Sequence, residues 1–128
     1  RALLNFGHTF AHALEAECGY GAELLHGEAV AIGMALAFCV SVNMGLCPSD
    51  DSERAISHLK ASGLPTSPAM IRSQWDVDRL VSHFAHDKKV KNGTPTFILT
   101  RGIGKAFIAE NVDNSLIKQA LVESCAPV

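Results

Sequence analysis

The feature that most restricts the fold of this chain is a long run without a charged side chain, from Ala29 to Cys47. Its length is close to that of a membrane-spanning helix. However, it contains Ser41, Asn43 and many small residues, and neither an aromatic belt nor a basic flank accompanies it. Small side chains allow neighbouring helices to approach closely. We therefore predict a buried central helix rather than a membrane span.

The composition is that of one ordinary globular domain. The chain has 128 residues, of which 48% are hydrophobic, and this length corresponds to a single domain over residues 1–128. Its net charge of −2 gives no electrostatic basis for binding nucleic acid. The four cysteines are scattered without a CxxC motif, which favours reduced cytosolic thiols over disulfides.

Hydrophobic periodicity and helix end signals predict a mostly helical chain. Gly19 ends the first helix, Pro48 follows the second, and Ser49, Asp76 and Asp113 (or its neighbour Asn114) are candidate N-caps of the later helices. The predicted helices span residues 2–18, 26–46, 50–62, 77–86 and 114–124, with a short helical turn at 68–73.

Towards the C-terminal end, one β-hairpin is predicted. Residues 96–100 and 105–109 are rich in β-forming side chains, and glycines at 102 and 104 bracket the turn between them. The polar segment 87–92 is expected to leave the preceding helix. The fold class is therefore mainly α, a helical bundle domain with one small β-hairpin.

Three histidines form a candidate metal site. His8 and His12 are four residues apart on one helix face, and His26 opens the next helix. A catalytic zinc ion usually has three protein ligands and one open position, and neutral imidazole is a common ligand. The segment contains no HExxH motif, and histidines that cap helices or bond backbone carbonyls would give the same pattern.

The spacing of Arg1, Asn5, His8 and His12 places them on one polar stripe of the predicted first helix. Arg1 offers a planar fork suited to a carboxylate. Asn5 and His12 could bond phosphate or hydroxyl oxygens. A solvated surface face is the alternative interpretation.

Other charged residues carry weaker signals. In the segment Asp87-Lys88-Lys89, a lysine could bind phosphate, although charges in loops are usually only solvated. The remaining histidines and two glutamates of the first helix are expected at the surface: His58, His83, His86, Glu15 and Glu17.

Two motifs together resemble 3-dehydroquinate synthases. The first is RALLNFGHTFAHALE at residues 1–15, and the second is HGEAVAIGM at residues 26–34. Asp87-Lys88-Lys89 and the hairpin also match in order and spacing. Where the family usually has glycine, this chain has Ala11, a difference that concerns helix packing more than chemistry. The similarity covers only the C-terminal, helical half of such enzymes.

The resemblance implies an enzyme of the shikimate pathway to chorismate and the aromatic amino acids. It would convert 3-deoxy-arabino-heptulosonate 7-phosphate to 3-dehydroquinate and phosphate, with NAD⁺ and a divalent metal, zinc or cobalt. His8 and His26 align with metal ligands, Arg1 with the residue that binds the substrate carboxylate, and Asn5, His12 and Lys88 with residues around the phosphate and reacting hydroxyls. His12 is thus a catalytic and substrate-binding residue rather than a ligand.

The resemblance also carries expectations beyond this chain. The third metal ligand, a glutamate, and the NAD-binding domain are expected in a preceding sequence, because the chain begins at Arg1 inside the first motif. No cofactor-binding residue is assigned here, and the fragment alone is not expected to turn over substrate. The complete enzyme is expected to be a cytoplasmic homodimer.

Two alternatives remain open. Other sugar-phosphate cyclases and metal-dependent polyol dehydrogenases share the helix pattern, although Arg1 favours a substrate with a carboxylate. A non-catalytic helical interaction domain is the alternative of a different class. A metal-binding titration would distinguish it from an enzyme domain.

Overall fold

The computed structural model describes residues 6–19, 23–90, 97–109 and 112–125, and gives only the backbone of residues 85–90. Within these ranges the chain forms five α-helices and one two-stranded antiparallel sheet, which confirms the predicted fold class. The elements are α1 (His8–Glu17), α2 (His26–Asn43), α3 (Ser49–Ala61), a short 3₁₀ helix (Pro68–Met70), α4 (Val77–Val90), β1 (Phe97–Thr100), β2 (Ala106–Ala109) and α5 (Asn114–Cys125).

Helix α2 is the centre of the domain, as the uncharged run predicts. It packs against α1, α3, α5 and β1, and Ala29, Ile32 and Val40 are fully buried. Among the described residues it is the one helix long and apolar enough to cross a membrane, but more than half of it is buried inside the domain. A core helix has the same length and composition, and its neighbours here are other elements of this chain.

Aromatic packing joins the first helix to the fourth helix and the hairpin. The rings of Phe10, Phe84 and Phe97 have centroids 5.4–5.7 Å apart, within the range of favourable aromatic pairs. All three are at least 94% buried, since their exposed fractions are 1%, 6% and 2%. This cluster fixes α1 against α4 and β1 and so supports the helix that carries His8 and His12.

A buried serine attaches the hairpin to α2. The hydroxyl of Ser41 donates to the carbonyl of Ala37 at 2.7 Å and accepts from the backbone N–H of Thr100 at 3.0 Å. Ser41 is completely buried and Thr100 is 2% exposed. The polar residue inside the uncharged run therefore satisfies a strand-end N–H that would otherwise be buried without a partner.

The start of the first helix differs from the prediction of a helix from residue 2. Helix α1 begins at His8, because Gly7 adopts the left-handed conformation (φ 82°) and interrupts any helix that would pass through it. The prediction of one continuous helix through residue 7 is therefore wrong, whereas the polar stripe of Arg1, Asn5, His8 and His12 stays a prediction. Arg1 and Asn5 themselves lie outside the described residues.

Two other helix ends also differ from the predicted ones. Helix α4 continues to Val90 instead of ending near residue 86, so Asp87-Lys88-Lys89 lies in its last turn rather than in a loop. Ser49 is the first residue of α3, and the N-cap is Pro48, without a side-chain hydrogen bond. Instead of a side-chain cap, the acidic residues in the first turn stabilise the start of α3 through their interaction with the helix dipole.

Two predicted caps are confirmed. Asp76 accepts a hydrogen bond from the N–H of Arg79 at 3.2 Å. Asp113 accepts from the N–H and the hydroxyl of Ser115, at 2.9 and 2.8 Å. These two hydrogen bonds stabilise the ionised carboxylate and lower the pKa of Asp113.

The four cysteines are free thiols. Burial raises the pKa of Cys125 to about 11, and it also raises the pKa values of Cys18, Cys39 and Cys47. Thiols with raised pKa values stay protonated at neutral pH and are poor nucleophiles. The cysteines are therefore packing residues in this domain.

Candidate active site

The candidate site lies where α1 and α2 cross, and two glycines set that crossing. A β-carbon on Gly33 would lie 2.1 Å from the carbonyl oxygen of Gly7, and one on Gly7 would lie 2.6 Å from the backbone nitrogen of Met34. Only glycine allows two backbones to approach this closely. Ala11 is fully buried beside the same contact. Because Gly7 immediately precedes His8, this contact determines where His8 begins α1.

Three imidazole rings gather at this crossing. The ring centroids of His8 and His26 are 6.0 Å apart, and those of His8 and His12 are 5.7 Å apart. His8 is half-buried, whereas His12 and His26 are exposed. The sequence-based expectation that the start of α2 comes near α1 is therefore correct, and His8 is the central ring of the three.

A carboxylate orients the ring of His26. Nδ1 of His26 lies 3.0 Å from Oε2 of Glu15 on α1. An ionised carboxylate can only accept, so Nδ1 carries the hydrogen, and in the neutral ring Nε2 then carries the lone pair. The side chain of Glu15 is only 15% exposed, whereas that of His26 is 63% exposed. The partner of the ring is thus held against the protein while the ring itself is accessible.

The rings of His8 and His26 are close to the separation of two imidazoles that share a metal ion. With metal–nitrogen distances of about 2.0–2.1 Å, two imidazoles on one tetrahedral zinc have centroids about 5 Å apart, so the observed separation of 6.0 Å is longer by roughly 1 Å. Within the described ranges, no group of three or more His, Cys, Asp or Glu side chains could hold a metal. A metal ion bound at His8 and His26 would therefore need further ligands from outside the described residues.

The start of α2 is fixed by the glutamate of its motif. Oε1 of Glu28 accepts a hydrogen bond from the N–H of Leu25 at 2.9 Å. This satisfies a donor at the helix N-terminus and places a negative charge where the helix dipole favours it. Glu28 therefore holds the first turn of α2, and with it His26, in position.

Lys88 is only partly placed by the structure. Its backbone belongs to the last turn of α4, and its side chain lies outside the described part of the chain. The predicted roles of Arg1, Asn5 and Lys88 therefore stay predictions, while the structure brings His8, His12 and His26 together.

Two glutamates expected at the surface have specific partners instead. Besides the contact of Glu15 with His26, Glu17 lies 3.1 Å from Nε of Arg79 and 3.3 Å from Nε2 of His83, and it links α1 to α4. The sequence does contain a pattern that links Glu15 to the site, because Glu15 is seven residues after His8 and three after His12. That spacing places all three on one helix face.

An apolar cavity of about 650 Å³ lies on another side of the α1–α2 contact. Its wall includes Phe6, Met34 and Phe38, the α3 residue His58 and the hairpin residue Ile103. His8, His12 and His26 are not among its described lining residues. The cavity is therefore separate from the cluster of imidazoles.

Solved structures of two synthases share this fold. The chain superposes on 2-epi-5-epi-valiolone synthase from Streptomyces hygroscopicus, solved with NAD⁺ and Zn²⁺, with a TM-score of 0.76, 31% identity, and coverage of 93% of this chain and 31% of that protein. It also superposes on 2-deoxy-scyllo-inosose synthase, solved with carbaglucose-6-phosphate, NAD⁺ and Co²⁺, with a TM-score of 0.74, 28% identity, and coverage of 94% and 33%. The chain thus has the fold of one part of these larger synthases.

Sequence comparison identifies the family. A family model described as 3-dehydroquinate synthase C-terminal matches residues 1–90, and the chain belongs to that family. It is 54% identical over 127 residues to the 3-dehydroquinate synthase of Caulobacter vibrioides and 49% identical over 129 residues to that of Rhodospirillum rubrum. These alignments cover 98% and 99% of this chain but 34% of each relative, so the chain spans about a third of their length.

Proposed function

We propose that this chain is the C-terminal metal- and substrate-binding domain of a 3-dehydroquinate synthase. The complete enzyme would convert 3-deoxy-arabino-heptulosonate 7-phosphate to 3-dehydroquinate and phosphate, as a carbon–oxygen lyase of the shikimate pathway. The observation that carries the proposal is the approach of His8 and His26, whose rings are 6.0 Å apart, in a member of this family. The relatives that are 54% and 49% identical to this chain over the aligned residues are 3-dehydroquinate synthases.

His8 and His26 would hold a divalent metal, zinc or cobalt. When bound, the metal would supply a Lewis acid for substrate oxygens, and NAD⁺, held mainly by a preceding domain, would accept and return a hydride. The two similar synthases were solved with NAD⁺ and Zn²⁺ or Co²⁺, which supports this pair of cofactors. The chain's own contribution is two imidazoles whose positions the α1–α2 crossing fixes in advance.

His12 would act on the substrate instead of the metal. Its ring is exposed and lies one helix turn from His8, so an oxygen bound near His8 is within its reach. A neutral imidazole can donate at one nitrogen and accept at the other, and can therefore hold or move a proton on a hydroxyl. Arg1 would bind the carboxylate, while Asn5 and Lys88 would contact the phosphate and hydroxyl oxygens.

The remaining parts of the proposal concern the complete enzyme. It would contain an N-terminal NAD-binding domain, form a homodimer and work in the cytoplasm on a small sugar phosphate. Neither nucleic acid nor a membrane would be a partner, in keeping with the net charge of −2 and the burial of α2. This domain alone would be inactive.

Substrate choice tests the proposal against a related cyclase. The complete enzyme, with NAD⁺ and Zn²⁺ or Co²⁺, is expected to release phosphate from 3-deoxy-arabino-heptulosonate 7-phosphate and to form 3-dehydroquinate. Glucose 6-phosphate, which lacks a carboxylate, should not be turned over. Turnover of glucose 6-phosphate alone would favour the related synthases, and failure to bind metal would favour an interaction domain.

Two adjacent lysines provide a residue-level prediction. Lys88→Ala in the complete enzyme is expected to lower kcat/KM by about 10- to 150-fold, because a charge-assisted hydrogen bond to phosphate contributes about 1.5–3 kcal/mol. Lys89→Ala is the matched control and should cost only a few-fold, as expected for a solvated charge. Steady-state kinetics of both variants would contradict this role if Lys89→Ala were the more damaging or neither mattered.

A further inference from the structure

We propose that Glu15 is a positioning residue for the metal site, and that it acts through His26. This inference rests on the proposed function, because it takes His26 as a metal ligand. The observation behind it is the 3.0 Å contact between Oε2 of Glu15 and Nδ1 of His26, which joins the second turn of α1 to the first residue of α2. Glu15 does not touch the metal or the substrate in this role.

The contact selects one form of the imidazole. With its hydrogen on Nδ1, the neutral ring presents the Nε2 lone pair for coordination. The carboxylate also restricts rotation of the His26 side chain, which is 63% exposed, so less conformational freedom is lost when a metal binds. Carboxylates that accept from the second nitrogen of a ligating histidine orient the ring and raise its basicity.

The surroundings of Glu15 support this role over a general ion pair. Its side chain is 15% exposed, and among the described residues its ion-pair partner is His26, without a lysine or arginine. His8, His12 and Glu15 share one face of α1, so the carboxylate holds the ring of His26 over the same face that presents His8.

Glu17 provides a matched control on the same helix. Its side chain is 10% exposed and it also contacts a histidine, but its partners Arg79 and His83 belong to α4. Replacement of either glutamate removes a mostly buried carboxylate that bonds an imidazole. Only the replacement of Glu15 affects a ring beside His8, so the two variants separate a role at the metal from a role in packing.

The experiment measures the Co²⁺ affinity of the complete protein by competition with a chelator. The visible absorption of the bound ion is the readout. Glu15→Ala is expected to weaken Co²⁺ binding by about 10- to 100-fold. Glu15→Gln should weaken it less, because the amide oxygen can still accept from Nδ1. Glu17→Gln should leave Co²⁺ affinity within about two-fold of the wild type while lowering the urea midpoint of the metal-free protein.

The outcomes distinguish this inference from the proposed function. Wild-type affinity in Glu15→Ala, together with loss of Co²⁺ in His8→Ala, would overturn the role of Glu15 and leave the proposed function intact. An equal loss of Co²⁺ in Glu17→Gln and Glu15→Gln would also overturn it, since the effect would then come from stability. Absence of Co²⁺ binding in the wild type would overturn both.

Discussion

His8→Ala and His26→Ala are each expected to remove the metal from the complete enzyme, whereas His12→Ala should retain it. Loss of an outer-sphere partner typically weakens metal binding about 10- to 100-fold, and loss of a ligand should exceed that range. The expected difference does not follow from spacing, because the His8–His12 and His8–His26 centroid distances are nearly equal, at 5.7 and 6.0 Å. It follows from the roles that the family resemblance assigns and from the contact between His26 and Glu15.

The measurement is metal content after dialysis, together with kcat for each variant. His12→Ala should keep its zinc and lose about 10²- to 10⁴-fold in kcat, the usual contribution of a positioned acid–base group. His8→Ala and His26→Ala should lose both the zinc and the activity, and added metal should restore little. Equal loss of zinc in His12→Ala and His8→Ala would show that His12 is a ligand and that the assignment is wrong.

The sequence was sufficient for the architecture because the architecture follows from local and compositional signals. The uncharged run from Ala29 to Cys47 predicted a buried central helix, and α2 is that helix. Turn glycines and β-forming residues predicted the hairpin, whose strands are Phe97–Thr100 and Ala106–Ala109. Of the two adjacent N-cap candidates, Asp113 and Asn114, Asp113 is the cap, and such a cap is predictable because its hydrogen bonds are made within two residues of itself.

The start of α1 could not be predicted in this way. The apolar spacing of Leu3, Phe6 and Phe10 is helical, and it favoured a helix running through Gly7. Gly7 adopts the left-handed conformation at the point where its backbone contacts Gly33, a residue 26 positions later in the sequence. Local periodicity carries no information about such a contact, since tertiary packing decides it.

The same limit applies to the candidate site. The motif spacing placed His8 and His12 on one face, and the structure confirms that they are neighbours. Glu15 belongs to this face as well, but acidic residues on a predicted helix are usually solvated. Its partner His26 is on another helix, and only the crossing of α1 and α2 brings the two side chains to 3.0 Å.

Gly33→Ala is expected to destabilise the domain and to impair the site together. The new β-carbon would lie 2.1 Å from the carbonyl oxygen of Gly7, and a backbone atom cannot move aside as a flexible side chain can. Overpacking of this kind typically costs about 1–3 kcal/mol and exceeds the gain of about 1 kcal/mol that alanine brings to a helix interior. Relief of the clash requires a shift on the order of 1 Å at Gly7, and a misplacement of this size next to His8 can cost about 100-fold in rate.

Gly27→Ala is the matched control, because Gly27 lies in the same helix and a β-carbon there would meet no atom of the described residues within 4 Å beyond its own helix. This variant should be as stable as the wild type or more stable by up to about 1 kcal/mol, since alanine is the better helix former. Comparison of the urea midpoints of the two variants with that of the wild type measures how much an added β-carbon at the α1–α2 contact destabilises the domain. If Gly33→Ala unfolded at the same urea concentration as Gly27→Ala and bound Co²⁺ normally, close approach at Gly7 would not be what positions His8.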